Sequence, residues 1–534
     1  MRQLSDLDAS FLYLESERTP MIIGGLYVFD TSERNTDVTF EEFSQFIAAR
    51  VHLAPFFRQR LVEVPLKLDH PYWIDDPEFQ LGRHLTQLTL QPGDTETSLN
   101  KFAADLFARP LERDRPLWSI TYVDGLEHLP ESSLPARGFA MIVRLHHAAI
   151  DSLSGDEIMS TLLDFSVTPR KLPPTNPWRP EPLPSKVRLL SSAYGNAITS
   201  PFKLATFVKG TAASAFYTLL IQKLRNINIP VSLFSAPRTL FNKNVNQSRQ
   251  LEYIELPLKQ LKQLRKSIGG EVTINDVVTG ICAEALYLYL NDQNELPTPP
   301  LIAMTPISVR SKTLKARTGN QLSAMLISLA TNIRHPIVRI RKIHDNAIIS
   351  ENYSQAISAD RLTELVPSSI IALSTRIYTE FQLAQRHKPL FNLPITNIPG
   401  PQTPLYLNGA KLVRQVGTAP LFDGIGLVLV AVSYDGKVNI SVTSCPTLLE
   451  DKPPFGPYLM RAVEAIDSAL QEPFEASEYE EAESTREQGA GIIDDVISIF
   501  SNLYSNLFSR EKVLAEKQLA ETPESPVSEK PDAK

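Results

Sequence analysis

Only two cysteines, Cys282 and Cys445, occur in 534 residues. Both sit in apolar sequence without metal-ligand spacing, which excludes a disulfide-stapled scaffold and is what a reducing compartment predicts. Long apolar runs are missing as well. The least polar stretches, Thr211 to Ile221 and Leu427 to Val432, fall well short of the roughly 20 residues needed to cross a bilayer, so no spanning helix is expected. Met1 is followed by Arg2, Leu4, Ser5, Asp6, Leu7 and Asp8, not by the apolar core of a secretory signal, and a cytoplasmic location is expected. The chain lacks a G-x-S-x-G elbow, which argues against serine hydrolase chemistry. It also lacks HExxH, which argues against a metalloprotease. A repeat at a fixed short period is absent too, which argues against a solenoid.

What is present is ordinary globular composition, with 43% hydrophobic and 21% charged residues, over a length that favours two domains plus extras. The net charge of −7 is unevenly spread. Residues 475–534 hold 14 acidic and 6 basic side chains, so the acidic balance belongs to the tail. From Pro182 to Leu251 there is no acid at all, while Lys186, Arg188, Lys203, Lys209, Lys223, Arg225, Arg238, Lys243 and Arg249 lie among Leu, Phe, Ala and Val. Such an amphipathic basic connector packs on the body or rests on anionic lipid.

These shifts predict four parts: an α/β segment 1–166, a Pro-rich then basic helical connector 167–245, a second α/β segment 246–474, and an acidic tail 475–534 that is largely disordered. The second segment carries a helix at Asn275 to Leu290, with Val277, Val278, Ile281, Cys282, Ala285, Leu286 and Tyr289 at helical spacing. It also carries a hairpin at Asp435-Gly436 between Gly426–Tyr434 and Lys437–Thr443. In the tail, Ile493, Val496, Ile497, Phe500, Leu503, Tyr504 and Leu507 share one face of a core-docking or partner helix. The fold class is α/β with mixed sheets.

Of nine histidines, two stand out. His146 and His147 end the strand-like run Phe139 to Leu145 and precede Ala148-Ala149-Ile150-Asp151-Ser152. If strand alternation persists, His147 points with Met141, Val143 and Leu145 to the apolar side, and His146 points with Arg144. An imidazole kept neutral by apolar surroundings accepts an alcohol proton at pH 7. Asp151 is placed to orient the turn or the imidazole. A metal site from His146, His147 and Asp151 competes, but adjacent histidines project to opposite sides of a strand, and no metal is expected. A glycerolipid acyltransferase of HxxxxD type, with His146 as the base, fits the same spacing. Asn275, at a helix start, is a candidate oxyanion donor whose plainer reading is an N-cap, and Asp276 is a candidate site-lining residue.

His146-His147-Ala148-Ala149-Ile150-Asp151-Ser152 resembles the HHxxxDG motif of the CoA-dependent acyltransferase superfamily. Leu7 to Glu15 with Thr19-Pro20-Met21 looks like the amino-terminal signature of the wax ester synthase/diacylglycerol acyltransferase family, and Pro116-Leu117-Trp118 resembles its PLW motif. Asn275-Asp276 is similar to its ND motif, and Asn397 to Pro401 followed by Gly409-Ala410 is similar to its NVPGP segment. The resemblance runs from Leu4 to about Asp451. It implies two stacked chloramphenicol-acetyltransferase-like domains with a channel at their interface, joined by the long connector.

The resemblance further implies transfer of a long-chain acyl group from acyl-CoA to diacylglycerol or a fatty alcohol. His147 would be the general base, His146 supporting, and Asp151 structural. No cofactor is implied beyond acyl-CoA as co-substrate, and no nucleic-acid partner. Peripheral contact with an anionic membrane or lipid droplet is expected, because long-chain substrates partition there. Ser152 stands where the family pattern has glycine, at a cost of about 1 kcal/mol if the turn needs positive φ. A non-catalytic lipid-binding protein on the same fold is the alternative of another class.

Overall fold

The computed structural model describes residues 1–34, 36–129, 133–149, 155–173, 180, 182–192, 194, 235–308, 322–357 and 388–471. Asp151, Ser152, the connector cations Lys203, Lys209, Lys223 and Arg225, and the tail helix expected at 493–507 lie outside them. In chain order the strands are β1 (Arg2–Gln3), β2 (Ile22–Asp30), β3 (Gln59–Val62), β4 (Tyr72–Asp75), β5 (Leu85–Thr89), β6 (Trp118–Asp124), β7 (Gly138–His146) and β8 (Gln250–Pro257). They continue as β9 (Ile302–Ser308), β10 (Leu322–Ser328), β11 (Leu393–Pro399), β12 (Tyr406–Leu407), β13 (Ala410–Thr418), β14 (Leu427–Tyr434) and β15 (Lys437–Ser444).

Two six-stranded sheets dominate, ordered β12-β13-β2-β7-β6-β5 and β10-β9-β11-β14-β15-β8, beside a small sheet β1-β4-β3. Both large sheets are mixed: β5 runs parallel to β6, and β11 runs parallel to β14 and β9, while the other pairings are antiparallel. Strands β12 and β13 come late in the sequence yet complete the first sheet, β13 pairing with β2 from Lys411 opposite Asp30 to Thr418 opposite Gly24. Hydrophobic order at the level of the segment therefore does not reveal which sheet a strand joins.

Alternation explains why β14 reads as a continuous apolar run. Leu427, Leu429 and Ala431 enter the core beneath the helices Leu258–Ile268, Ile274–Asp292 and Gly456–Ala469, while Val428, Val430 and Val432 fill the core on the other face. A strand covered on both sides needs apolar residues at every position. The hairpin that follows turns at Asp435 (φ 42°) and Gly436 (φ 77°), the paired positive values a two-residue turn requires. In the same way β7 sends Phe139, Met141, Val143 and Leu145 to one core and Ala140 and Ile142 to another. That alternation aims the end of β7 at the site.

The helix Ile274–Asp292 begins one residue earlier than the periodicity predicts, and all seven residues named for its face are buried. Its N-cap is Thr273, not Asn275: the Thr273 hydroxyl accepts from the Asp276 N–H at 3.2 Å, and the Asp276 carboxylate accepts back from the Thr273 N–H at 2.7 Å. A threonine followed three residues later by an acid forms this reciprocal cap, so Asn275 falls inside the first turn.

Candidate active site

Strand β7 pairs with β2 through His146, which lies opposite Ile22. There the ladder ends and His147 opens a 3-10 turn, His147–Ala149. The backbone N–H of His147 donates to the Met21 carbonyl at 2.8 Å, and that of His146 donates to the Leu117 carbonyl at 3.0 Å. The amino-terminal signature, the PLW segment and the histidine pair are thus tied together by main-chain bonds.

The two rings differ. His146 is fully buried, and its Nδ1 accepts from the Ala148 N–H at 3.0 Å. A backbone N–H only donates, so the proton of a neutral His146 ring sits on Nε2, which lies 3.3 Å from Glu15 Oε1. The His147 ring leaves the alternation expected for it. It stacks on Phe11 of the helix Asp6–Leu14, with ring centroids 3.7 Å apart and 21° between planes. Its Nδ1 is buried without a hydrogen bond of ordinary geometry. Desolvation, with the neighbouring His146 ring acting in the same direction, pushes its pKa down to about 4, against the opposing pull of its own backbone. The imidazole is neutral at pH 7.

Glu15 anchors the pair, a role its place in a sequence motif does not reveal. Its Oε2 accepts from Arg113 Nη2 at 2.7 Å and Nε at 3.2 Å, while Oε1 accepts from the Met21 N–H at 3.2 Å. Arg113 also bonds the Leu12 carbonyl at 2.9 Å. Burial alone would raise the pKa of Glu15, but the His146 ring and the Arg113 guanidinium outweigh it and hold the carboxyl at about 2. Phe11, Glu15 and Met21 lie in the amino-terminal signature, but only tertiary contact brings them, and Arg113, to the histidines.

The other predicted residues form a second cluster. Asn275 Oδ1 accepts from Asn397 Nδ2 at 2.9 Å, which joins the ND segment to the Asn397–Pro401 segment. The Asp276 carboxylate, besides capping its helix, lies 2.8 Å from His344 Nδ1. It acts as an acceptor there and has no donor to offer an oxyanion. Among the described residues no hydrogen bond links this cluster to His146 or His147.

The model of the wax ester synthase/diacylglycerol acyltransferase catalytic domain matches residues 4–278, and that of the family's C-terminal domain matches residues 318–467. The chain belongs to the wax ester synthase/diacylglycerol acyltransferase family. It is an acyltransferase. A Mycobacterium tuberculosis protein named as a diacylglycerol O-acyltransferase is 30% identical over 482 residues, 90% of this chain and 91% of that one. The O-acyltransferase WSD of Acinetobacter baylyi is 29% identical over 458 residues, 84% and 93% of the two chains. Among solved structures, the wax ester synthase/diacylglycerol acyltransferase of Marinobacter aquaeolei VT8 superposes with a TM-score of 0.62 at 25% identity, covering 88% of this chain and all of that one. The first condensation domain of the calcium-dependent antibiotic synthetase shares the fold alone, with a TM-score of 0.51 at 12% identity over 89% and 97% of the chains. This acyltransferase therefore has the mixed α/β architecture that its sequence resemblance implies.

Proposed function

We propose that this acyltransferase moves a long-chain acyl group from acyl-CoA to diacylglycerol or a long-chain alcohol, with His147 as the general base. The observation that carries the assignment is a half-buried, neutral imidazole at a strand end, stacked on Phe11 and backed by His146 and an ionised Glu15. The acceptor hydroxyl gives its proton to His147 as its oxygen adds to the thioester carbonyl. The tetrahedral intermediate then expels the CoA thiolate, which takes the proton back from the imidazolium. Bonds and charge balance without an acyl-enzyme and without a cofactor. General-base assistance of this kind is worth about 10²–10⁴ in rate.

Glu15 supports the same reading: a carboxylate held ionised behind His146 favours the transient positive charge on His147. His146 suits a supporting role, since its Nδ1 is engaged by a backbone donor and its Nε2 faces a carboxylate, which leaves no lone pair for substrate. That geometry weighs against the HxxxxD mechanism. Asp151 belongs to the proposal as a turn-holding residue on the strength of the motif, and Asn275 as the oxyanion donor on the strength of its amide. Because long-chain acceptors partition into lipid, the enzyme also works at a membrane or droplet surface.

The deciding measurement is thiol release from palmitoyl-CoA with hexadecanol, diacylglycerol or no acceptor, for wild type and His147→Ala. Acceptor-dependent release that drops about a thousandfold in the variant is expected. Equal release without acceptor, or full activity in folded His147→Ala, refutes the mechanism.

A further inference from the structure

Away from the motif residues, two separate stretches expose large aliphatic side chains side by side. The loop between β3 and β4 carries Leu66 and Leu68, 86% and 54% exposed. Residues 183–194 add Leu183, Val187, Leu190 and Tyr194, all exposed. The stretches are neighbours because Leu189 turns inward and packs with Val64 and Tyr72 in a small core. Between them runs an open groove of about 700 Å³, lined by Val64, Leu66, Leu183 and Leu189 with Arg60 and Lys186.

Leu66 is the telling residue. Its backbone sits at φ 58°, ψ 11°, a left-handed conformation that side chains other than glycine's avoid. A leucine that is both strained and almost fully exposed adds nothing to the core, and strain persists where an outside contact uses it. Charge says which contact. Lys186 and Arg188 are exposed within this face, and the chain from Pro182 to Leu251 has no acid. The carboxylate among the groove's lining residues, Glu63, lies 3.8 Å from Arg113. The groove also shares Glu63 and Val64 with a deeper polar cavity of about 240 Å³ that reaches Glu15 and Arg113. The apolar face thus borders a groove whose neighbouring cavity is lined by Glu15, the carboxylate 3.3 Å from His146 Nε2.

We propose that this face docks the enzyme on an anionic lipid surface: Leu66, Leu68, Leu183, Val187, Leu190 and Tyr194 enter the headgroup boundary, and Lys186 and Arg188 meet the phosphates. The assignment rests on the reading that the acceptors are long-chain lipids. Aliphatic tips flanked by cations are what such a boundary binds, each cation adding about fivefold to affinity.

Full-length protein is sedimented with phosphatidylcholine vesicles that contain phosphatidylglycerol. Wild type is expected to bind, and to bind less at high salt. Leu66→Glu with Val187→Glu is expected to weaken binding by about tenfold or more. Leu66→Gly separates docking from folding: glycine accepts the positive φ, so the thermal midpoint holds or rises while vesicle binding falls. Absence of wild-type binding, or undiminished binding in both variants, overturns the proposal. A dimer in wild type that the Leu66 variants convert to monomer assigns the face to a second copy and overturns it as well. Transfer to a short, water-miscible alcohol is followed in parallel. Its retention in variants that no longer bind vesicles is the expected result, whereas its absence from wild type counts against the functional reading and not against the docking face.

Discussion

At the residue scale, the site is governed by what surrounds its two ionised or ionisable partners. His147 titrates near 4 in the folded enzyme, because burial disfavours the imidazolium, and near 6.5 when free. The acid limb of kcat/KM against pH is therefore expected close to pH 4, and a limb near 6.5 in a stopped assay of the folded protein would contradict the desolvation of this ring. Stability follows with a definite sign. Between pH 6.5 and 4 the unfolded chain binds a proton at His147 that the native state refuses, so stability falls as pH drops through that window. Glu15 acts in the same direction at lower pH. Its folded pKa of about 2 is depressed from 4.5, so its contribution, about 3 kcal/mol at most, is present above pH 4.5 and lost as pH falls toward 2. Glu15→Gln preserves shape and removes the charge. It is expected to lower kcat by about tenfold or more with little change in KM for acyl-CoA, a split that steady-state kinetics reads directly.

At the element scale, close packing fixes how helices and strands meet. Gly280 lets the helix Ile274–Asp292 approach the helix Pro336–Ile357 so closely that an added Cβ would stand 2.4 Å from Ile340 Cγ1. Gly280→Ala is expected to destabilise by about 1–3 kcal/mol, seen as a lower thermal midpoint, and an unchanged midpoint would mean that the helices separate freely. The charged contact between the same helices, Arg339 with Glu284, is buried and adds register at that crossing. Trp118, from the PLW segment, is buried with its indole N–H on the Phe57 carbonyl at 2.9 Å and its ring stacked on His84. Trp118, Ile120 and Tyr122 all enter one core.

At the scale of the whole molecule, the chain divides into two units, Met1–Glu472 and Pro473–Lys534. Since every site residue proposed above lies in the first, a chain ending at Glu472 is expected to keep its thiol-release rate within about twofold. A large loss of kcat in that truncated protein would assign the tail a part in catalysis. The first unit is also held together across its length. Arg18 pairs with Asp423 at 3.1 Å, and Arg414 reaches both Glu96 and Glu255 at 3.1 and 3.2 Å. Such bonds, with β13 lying against β2, join early and late segments.

Alternating and helical periods, the Asp435-Gly436 turn and the histidine pair at a strand end were all legible in the sequence, because each depends on residues a few positions apart. The late sheet partner of β2, the Thr273 cap in place of Asn275, the stacking of His147 on Phe11 and the anchoring of His146 by Glu15 were not. Strand alternation carried the reading as far as His146 and failed one residue later, where the ladder ended and a neighbour from the first helix took over. Local pattern selects elements because propensity and burial act over one turn or one strand. Which distant side chain lends its charge or its ring to a catalytic group is decided only when the elements pack, since a pKa depends on three-dimensional distance and exclusion of water, not on position along the chain.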